Sequence, residues 1–335
     1  MVPRKTAKRK AVKNNTAQEL SGPQADGDIS SSAALRNTLI IIVIVLLLVA
    51  VGFGTFFALR ALNSAPTEPE VPVEPVEPVE PVEPEPEPEP VLPDAINFQP
   101  VIDEWAASVG GNRSVIIYDL ERNEMAGEYN ADEDYNTASL YKLFVVYEGY
   151  RRLQSGEWNA EDPAGTTGNT ILECLDLAVR ESYSPCAETL WSYIGHEELD
   201  RIIAEDFGIT NSDISHLVSN PRDILKIMKL FYEHPHFSDE TLVARMKDSF
   251  LNQPVTTYNW RQGLPSGFSS AVNVYNKVGW AYNPDGGYWD IYHDAAIIEF
   301  PESNRHFIVI VMTNRVPYQS IRELGTRIEE AFLTK

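Results

Sequence analysis

Apolar positions change their period along this chain, and each change marks a different kind of element. The run Thr38 to Leu59 carries no charge over 22 residues. At about 1.5 Å rise per residue such a run crosses a hydrocarbon core about 30 Å thick. A secretory signal has a shorter apolar stretch, about 7–15 residues, so the pattern predicts an uncleaved transmembrane helix. Further on, apolar positions recur at helical spacing at Ile171, Leu175, Ala178 and Val179, predicting a helix. After the break at Tyr183-Ser184-Pro185 another helix is expected, through Tyr193. Val101 to Ser108 also looks helical. Asn220-Pro221-Arg222-Asp223 and Ser238-Asp239-Glu240 are helix starts with a capping residue in place. Alternation takes over in the segment from Arg113 to Asn130, which reads as two strands around Glu121-Arg122-Asn123. The period changes again over "AVNVYNKVGWAY", "YWDIYHDAAIIEF" and "RHFIVIVMTN", which read as three strands, the last two joined by a tight turn at Pro301 to Asn304. A final helix is expected from about Ser320 to Phe332. Two strands, a block of helices, three strands and a helix predict an α+β fold. Its antiparallel sheet is built from both ends of the domain and packed against the helical block.

Composition divides the chain further. Residues 1–37 form a basic tail, with Arg4, Lys5, Lys8, Arg9, Lys10 and Lys13 ahead of the apolar run. Positive charge on that side keeps the N-terminus in the cytoplasm, so everything after Arg60 is expected outside the cell membrane. Residues 60–93 are a proline–glutamate repeat. Proline fixes φ and removes a donor, which favours an extended spacer of about 90 Å at roughly 3.1 Å per residue. Residues 94–335 are rich in Trp, Tyr and Phe and form the expected globular domain. They hold 19 Lys/Arg against 37 Asp/Glu, a net charge of −18. So acidic a surface repels phosphate backbones, which argues against nucleic acid as a partner. The histidines are scattered and Cys/His metal spacing is absent, so neither a metal nor a cofactor is expected. Outside the cytoplasm Cys174 and Cys186 are expected to form a disulfide, with two free buried thiols as the alternative.

The candidate chemistry begins in "TASLYKLFVVYEGY". Ser139 and Lys142 are three residues apart at a helix start, where i and i+3 share a face. Backbone N–H groups and the positive dipole end there favour a developing oxyanion. A lysine in a dry pocket has a lowered pKa and can take the serine proton. Alone, the pair is also what a serine cap with a nearby lysine looks like. It has company: Ser182 in "RESYSPCAETLW", at a break between helices, and Lys277 in "YNKVGW", on a strand.

This order and context resemble the serine β-lactamase and penicillin-binding protein superfamily, closest to class A β-lactamases, whose three motifs are S-x-x-K, S-D-N and K-T-G. "TASLYKLFV" is similar to the family's nucleophile helix, and "RQGLPSG" to its approach to the lysine strand. The likeness covers most of residues 96–333. It implies that Ser139 is the nucleophile, Lys142 its base and Ser182 the donor to the leaving nitrogen. Lys277 would hold substrate charge and depress the pKa of Lys142. The N–H groups of Ser139 and Trp280 would form the oxyanion hole, and Ser184, Val278 and Gly279 would line the substrate. The chain departs from the family at three places. Ser184 stands where the family has asparagine, and Val278 lacks the hydroxyl that meets a substrate carboxylate. Between Gly208 and Asn220 there is no glutamate to activate water, and Asp213 is the only acid. Two functions stay open. One is a membrane-anchored serine hydrolase that is acylated at Ser139 by β-lactams or peptidoglycan-type amides and deacylates slowly. The other is a non-catalytic relative that binds wall material or a partner.

Overall fold

The computed structural model describes residues 92–256, 258–283 and 288–335. The basic tail, the apolar run and nearly all of the proline–glutamate repeat lie outside these. Among the described residues no helix is long and apolar enough to cross a membrane.

Helix α1 (Gln99–Ser108) precedes β1 (Asn112–Asp119) and β2 (Glu124–Tyr129), which turn through Asn123 in a left-handed conformation. A two-residue strand β3 (Tyr135–Asn136) leads through a 3₁₀ turn, Ala138–Leu140, into α2 (Tyr141–Ser155). Helices α3 (Ile171–Arg180), α4 (Ser184–Ile194) and α5 (His196–Glu205) follow. Then come β4 (Val218–Ser219), α6 (Pro221–Glu233) and α7 (Glu240–Leu251). The chain ends with β5 (Asn273–Asn283), β6 (Tyr288–Phe300), β7 (Arg305–Asn314) and α8 (Tyr318–Leu333).

Caps set several of these boundaries. Thr170 and Glu173 form a reciprocal capping box on α3, which satisfies two otherwise orphaned backbone donors. The Asn220 side chain accepts from Asp223 N ahead of Pro221, and Asp239 caps α7. Ser303 N and Asn304 N bond back to Phe300 and Pro301 carbonyls, closing the turn between β6 and β7.

The five long strands form one antiparallel sheet in the order β2-β1-β7-β6-β5. Both ends of the domain therefore meet at its centre, where β1 pairs with β7. Successive residues of these central strands pack into different cores, as the two-residue period requires. Val115, Ile117, Val309 and Val311 join α1 and α8 on one face. Ile116, Ile308, Ile310 and Met312 join the helical block on the other. Within that block every residue of α2 from Tyr141 to Tyr150 is buried, which makes it the central helix. Helix α5 and the β3–β4 pair are absent from the sequence reading. The acidic first turn of α5, Glu197 and Glu198, and its apolar positions Leu199, Ile202 and Ile203 are its signal.

Candidate active site

A buried helix cannot hold a lysine unless that lysine finds acceptors, because an unpaired ammonium in apolar surroundings is expensive. Lys142 is 0% exposed. Its amine donates to the Ser182 carbonyl at 2.6 Å and to Ser184 Oγ at 3.0 Å, and it lies 3.4 Å from Ser182 Oγ. Lys277, 1% exposed, enters from β5. It donates to Ser182 Oγ at 2.8 Å and to the Val278 carbonyl at 2.6 Å. Lys142, Ser182, Ser184 and Lys277 are thus brought together by hydrogen bonds. None of the bonds of Lys142 goes to Ser139.

Burial disfavours the charged form of both lysines. It pushes the Lys142 amine down to about 8, with a partial opposing pull from the Glu188 charge. It pushes Lys277 well below its ordinary value, and the positive charge of Lys142 adds to that. Sequence reasoning gave a dry pocket and Lys277 as the two causes of a lowered Lys142; burial is the one that acts on Lys142, and the repulsion between the amines lowers Lys277.

Two non-glycine residues at this site have left-handed backbone: Ala138 (φ 44°), just before Ser139, and Ser182 (φ 53°). Such residues cost of order 1–3 kcal/mol and persist only where their surroundings impose them. Around Ser182 the constraints are visible. Glu181 N and Tyr183 N both bond to the Leu177 carbonyl, and Trp260 Nε1 donates to the Glu181 carbonyl at 3.0 Å. A disulfide joins Cys174 on α3 to Cys186 on α4 across the Ser182 loop.

The Ser139 turn is fixed from three sides. Thr137 N bonds to the Leu217 carbonyl, and β3 pairs with β4, Asn136 opposite Val218. His293 on β6 holds the Asn136 carbonyl through Nε2 at 2.8 Å while its Nδ1 accepts from Thr313 N at 2.9 Å. That pair of bonds requires the neutral ring with its proton on Nε2. Full burial agrees, pushing His293 down to about 4. Lastly β5 passes against the turn at Gly279. A Cβ there would lie 2.7 Å from the Thr137 carbonyl oxygen and from Leu140 Cγ, so only glycine permits this approach.

β5 is the edge of the sheet, and its backbone has a direction that can be read. Side chains of Arg261, Gln253 and Lys277 bond to the carbonyls of Val274, Asn276 and Val278. Those residues therefore turn their backbone groups away from β6, and the same two-residue period turns the N–H of Trp280 outward as well. The Trp280 ring packs beside Trp260, Tyr292 and Tyr318. Val278 is 1% exposed, so its side chain presents no surface to a ligand; its carbonyl, holding Lys277, is the part that faces the site.

Behind β5, Asp294 is fully buried. It accepts from Asn276 Nδ2 at 2.9 Å and Leu264 N at 2.8 Å, and burial pushes it up to about 7. His293 and Asp294 escape sequence reasoning. Their signal is a His-Asp pair directly ahead of the apolar run Ala295 to Ile298. Asp213 is exposed and engaged by Ser215 Oγ and His216. Among the described residues no group of His, Cys, Asp and Glu is placed to hold a metal ion.

The arrangement offers a serine on a strained turn, two buried amines of weakened proton affinity, a hydroxyl bridging them, and an outward N–H on the passing strand. The family described as "Beta-lactamase enzyme family" matches residues 97–332. No curated protein matches the chain. Among solved structures, an ancestral class A β-lactamase aligns at 16% identity with a TM-score of 0.60, covering 70% of this chain and 100% of that one. A protein titled PBP-A aligns at 16% and 0.60, covering 73% and 100%. A class A β-lactamase from Bacteroides cellulosilyticus aligns at 13% and 0.59, covering 70% and 96%.

Proposed function

The chain belongs to the beta-lactamase enzyme family, and on that premise we propose that it is a serine acyl-transfer hydrolase which forms a covalent acyl-enzyme at Ser139. The observation that carries this reading is the convergence of Lys142 and Lys277 on Ser182 Oγ, inside a site that weakens both amines as acids' conjugate partners. Lys142 in its free-amine form takes the Ser139 proton as Oγ attacks an amide carbonyl. The N–H groups of Ser139 and Trp280 receive the developing negative charge. Ser182, bonded to both lysines, passes a proton to the departing nitrogen. Lys277 offers positive charge to an acidic substrate group, and Ser184 and the Gly279 backbone border the substrate. The substrates are β-lactams or related peptidoglycan-type amides. Deacylation is slow, since the 208–220 connection brings no glutamate.

The same reading places the domain outside the cell membrane, held by Thr38–Leu59 with the N-terminus in the cytoplasm. Length, charge asymmetry and the proline–glutamate spacer support it. Protease added to intact cells should then release the domain by cutting between about Leu62 and Ile96; digestion of the N-terminus instead would reverse the topology.

The deciding measurement for the chemistry is intact-protein mass after incubation with penicillin. The expected result is one adduct, on Ser139 and lost in Ser139→Ala. A folded protein that gains no mass would favour the non-catalytic reading.

A further inference from the structure

An acyl-enzyme is released only if some group takes a proton from the attacking water. The connection that carries such a group by sequence expectation holds only Asp213, and Asp213 is engaged by Ser215 and His216 on an exposed turn. The structure brings a different carboxylate to the site. Ser184 opens α4 and faces Lys142, 3.0 Å from its amine. On a helix the residue four positions on shares that face, and here it is Glu188. Its Oε1 accepts a hydrogen bond from the Tyr141 hydroxyl at 3.0 Å. Tyr141 is itself a rigid support: it is 5% exposed, and its ring lies 4.9 Å from that of Trp191. The Lys142 amine lies 5.7 Å from the same ring. Glu188 is otherwise exposed, so a carboxylate fixed beside Lys142 remains open to water. Its charge also reaches Lys142, favouring the protonated amine.

We propose, resting on the acyl-enzyme reading above, that Glu188 is the base for the water that releases the acyl group from Ser139. The water oxygen bonds to the acyl carbon while one of its protons passes to the Glu188 carboxylate. The ester bond from that carbon to Ser139 Oγ breaks, and the proton that Glu188 took passes by way of the free Lys142 amine to Oγ. The released carboxylic acid leaves, and Glu188 and Lys142 return to the carboxylate and free amine with which the cycle began. A general base of this kind is typically worth 10²–10⁴-fold. An exposed carboxylate, held by one hydrogen bond, belongs at the low end of that range.

The test follows a penicillin adduct on the purified full chain by intact mass, both as it forms and as it decays after excess drug is removed. In Glu188→Gln the adduct should form faster below pH 8, because loss of the negative charge makes Lys142 easier to deprotonate. It should then decay about 10²-fold more slowly. Glu188→Asp, which keeps the carboxylate, should recover part of the decay, and Tyr141→Phe should lengthen the adduct lifetime by freeing Glu188. A structural defect would slow formation and decay together. Equal adduct lifetimes in wild type and Glu188→Gln would overturn the assignment while leaving acylation intact. No adduct on the wild-type chain would overturn the acyl-enzyme reading itself, and this assignment with it.

Discussion

Lys142 and Lys277 approach one oxygen from different parts of the chain, their amines 3.4 and 2.8 Å from Ser182 Oγ. One comes from the central helix and the other from the edge strand. Burial weakens the hold of Lys142 on its proton, and burial together with the charge of Lys142 weakens that of Lys277. The site therefore carries a free amine at a pH where an exposed lysine would be charged.

Acylation should depend on pH accordingly. Lys142 must lose its proton to act as base, and burial pushes its pKa down to about 8. The rate of penicillin labelling should rise with pH and level off above that point. Lys142→Ala should give no adduct, while Asp213→Ala should label like wild type. A profile flat from pH 6 to 9 would remove Lys142 from the proton transfer.

Gly279→Ala tests the contact between β5 and the nucleophile turn. The added methyl would meet the Thr137 carbonyl and Leu140 at 2.7 Å, so the strand must move outward. The domain should still fold, because β5 is an edge strand paired on one side only. Labelling should fall about 10²-fold, the usual order for a displacement near 1 Å. Unchanged labelling kinetics would show that β5 does not position the reacting groups.

The Cys174–Cys186 bond should stabilise the domain mainly through the unfolded chain. It joins residues 12 apart, which in the chain-entropy account corresponds to roughly 3 kcal/mol. The double variant Cys174→Ser, Cys186→Ser should lose about that much in urea denaturation. It should also label more slowly, since the left-handed Ser182 loses its tether. Equal stability with and without reductant would contradict this.

His293 and Asp294, neighbours on β6, should cancel each other in the pH dependence of stability. His293 has a native pKa lowered to about 4. Its contribution is therefore present above 6.5 and lost as pH falls toward 4, about 3 kcal/mol in all. Asp294 is raised to about 7. Its contribution is present below 3.8 and lost as pH climbs toward 7, about 4 kcal/mol. Between pH 4.5 and 6.5 the two slopes oppose. Asp294→Asn should gain roughly 2–3 kcal/mol relative to wild type across that window, and His293→Asn should lose a similar amount. Urea melts at the two pH values measure both, and shifts of the same sign would refute the pairing.

How much of this was legible beforehand depended on whether a residue's role had a period. The strands from Asn273 to Asn314 could be read because the helical period stops there and short apolar runs such as Phe307 to Met312 are bounded by a turn, and α6 because Asn220 and Pro221 announce it. Ser139 and Lys142 could be read because a helix face fixes i and i+3. The β3–β4 pair has two residues a side and hence no period, yet it sets the angle of the nucleophile turn. Val278 was read as a substrate-lining position; its side chain is buried, because the two-residue period puts it on the strand face opposite that of Lys277 and Gly279. Glu188 stood in plain view four residues after Ser184, but only the fold shows that Tyr141 reaches across to hold it.

The pairing of β1 with β7 has a consequence for how the protein is made. Asn112 lies opposite Asn314, about 200 residues later in the chain, and pairings of that separation form slowly because the intervening loop must first close. During synthesis Ser139, Lys142 and Ser182 leave the ribosome with the helical block. Lys277, Gly279 and His293 arrive only with the final strands. A chain cut short after α7 would carry Ser139 with neither Lys277 nor the histidine that fixes its turn. On the acyl-enzyme reading, a serine near the domain's start therefore waits for β5 to β7 before it can react.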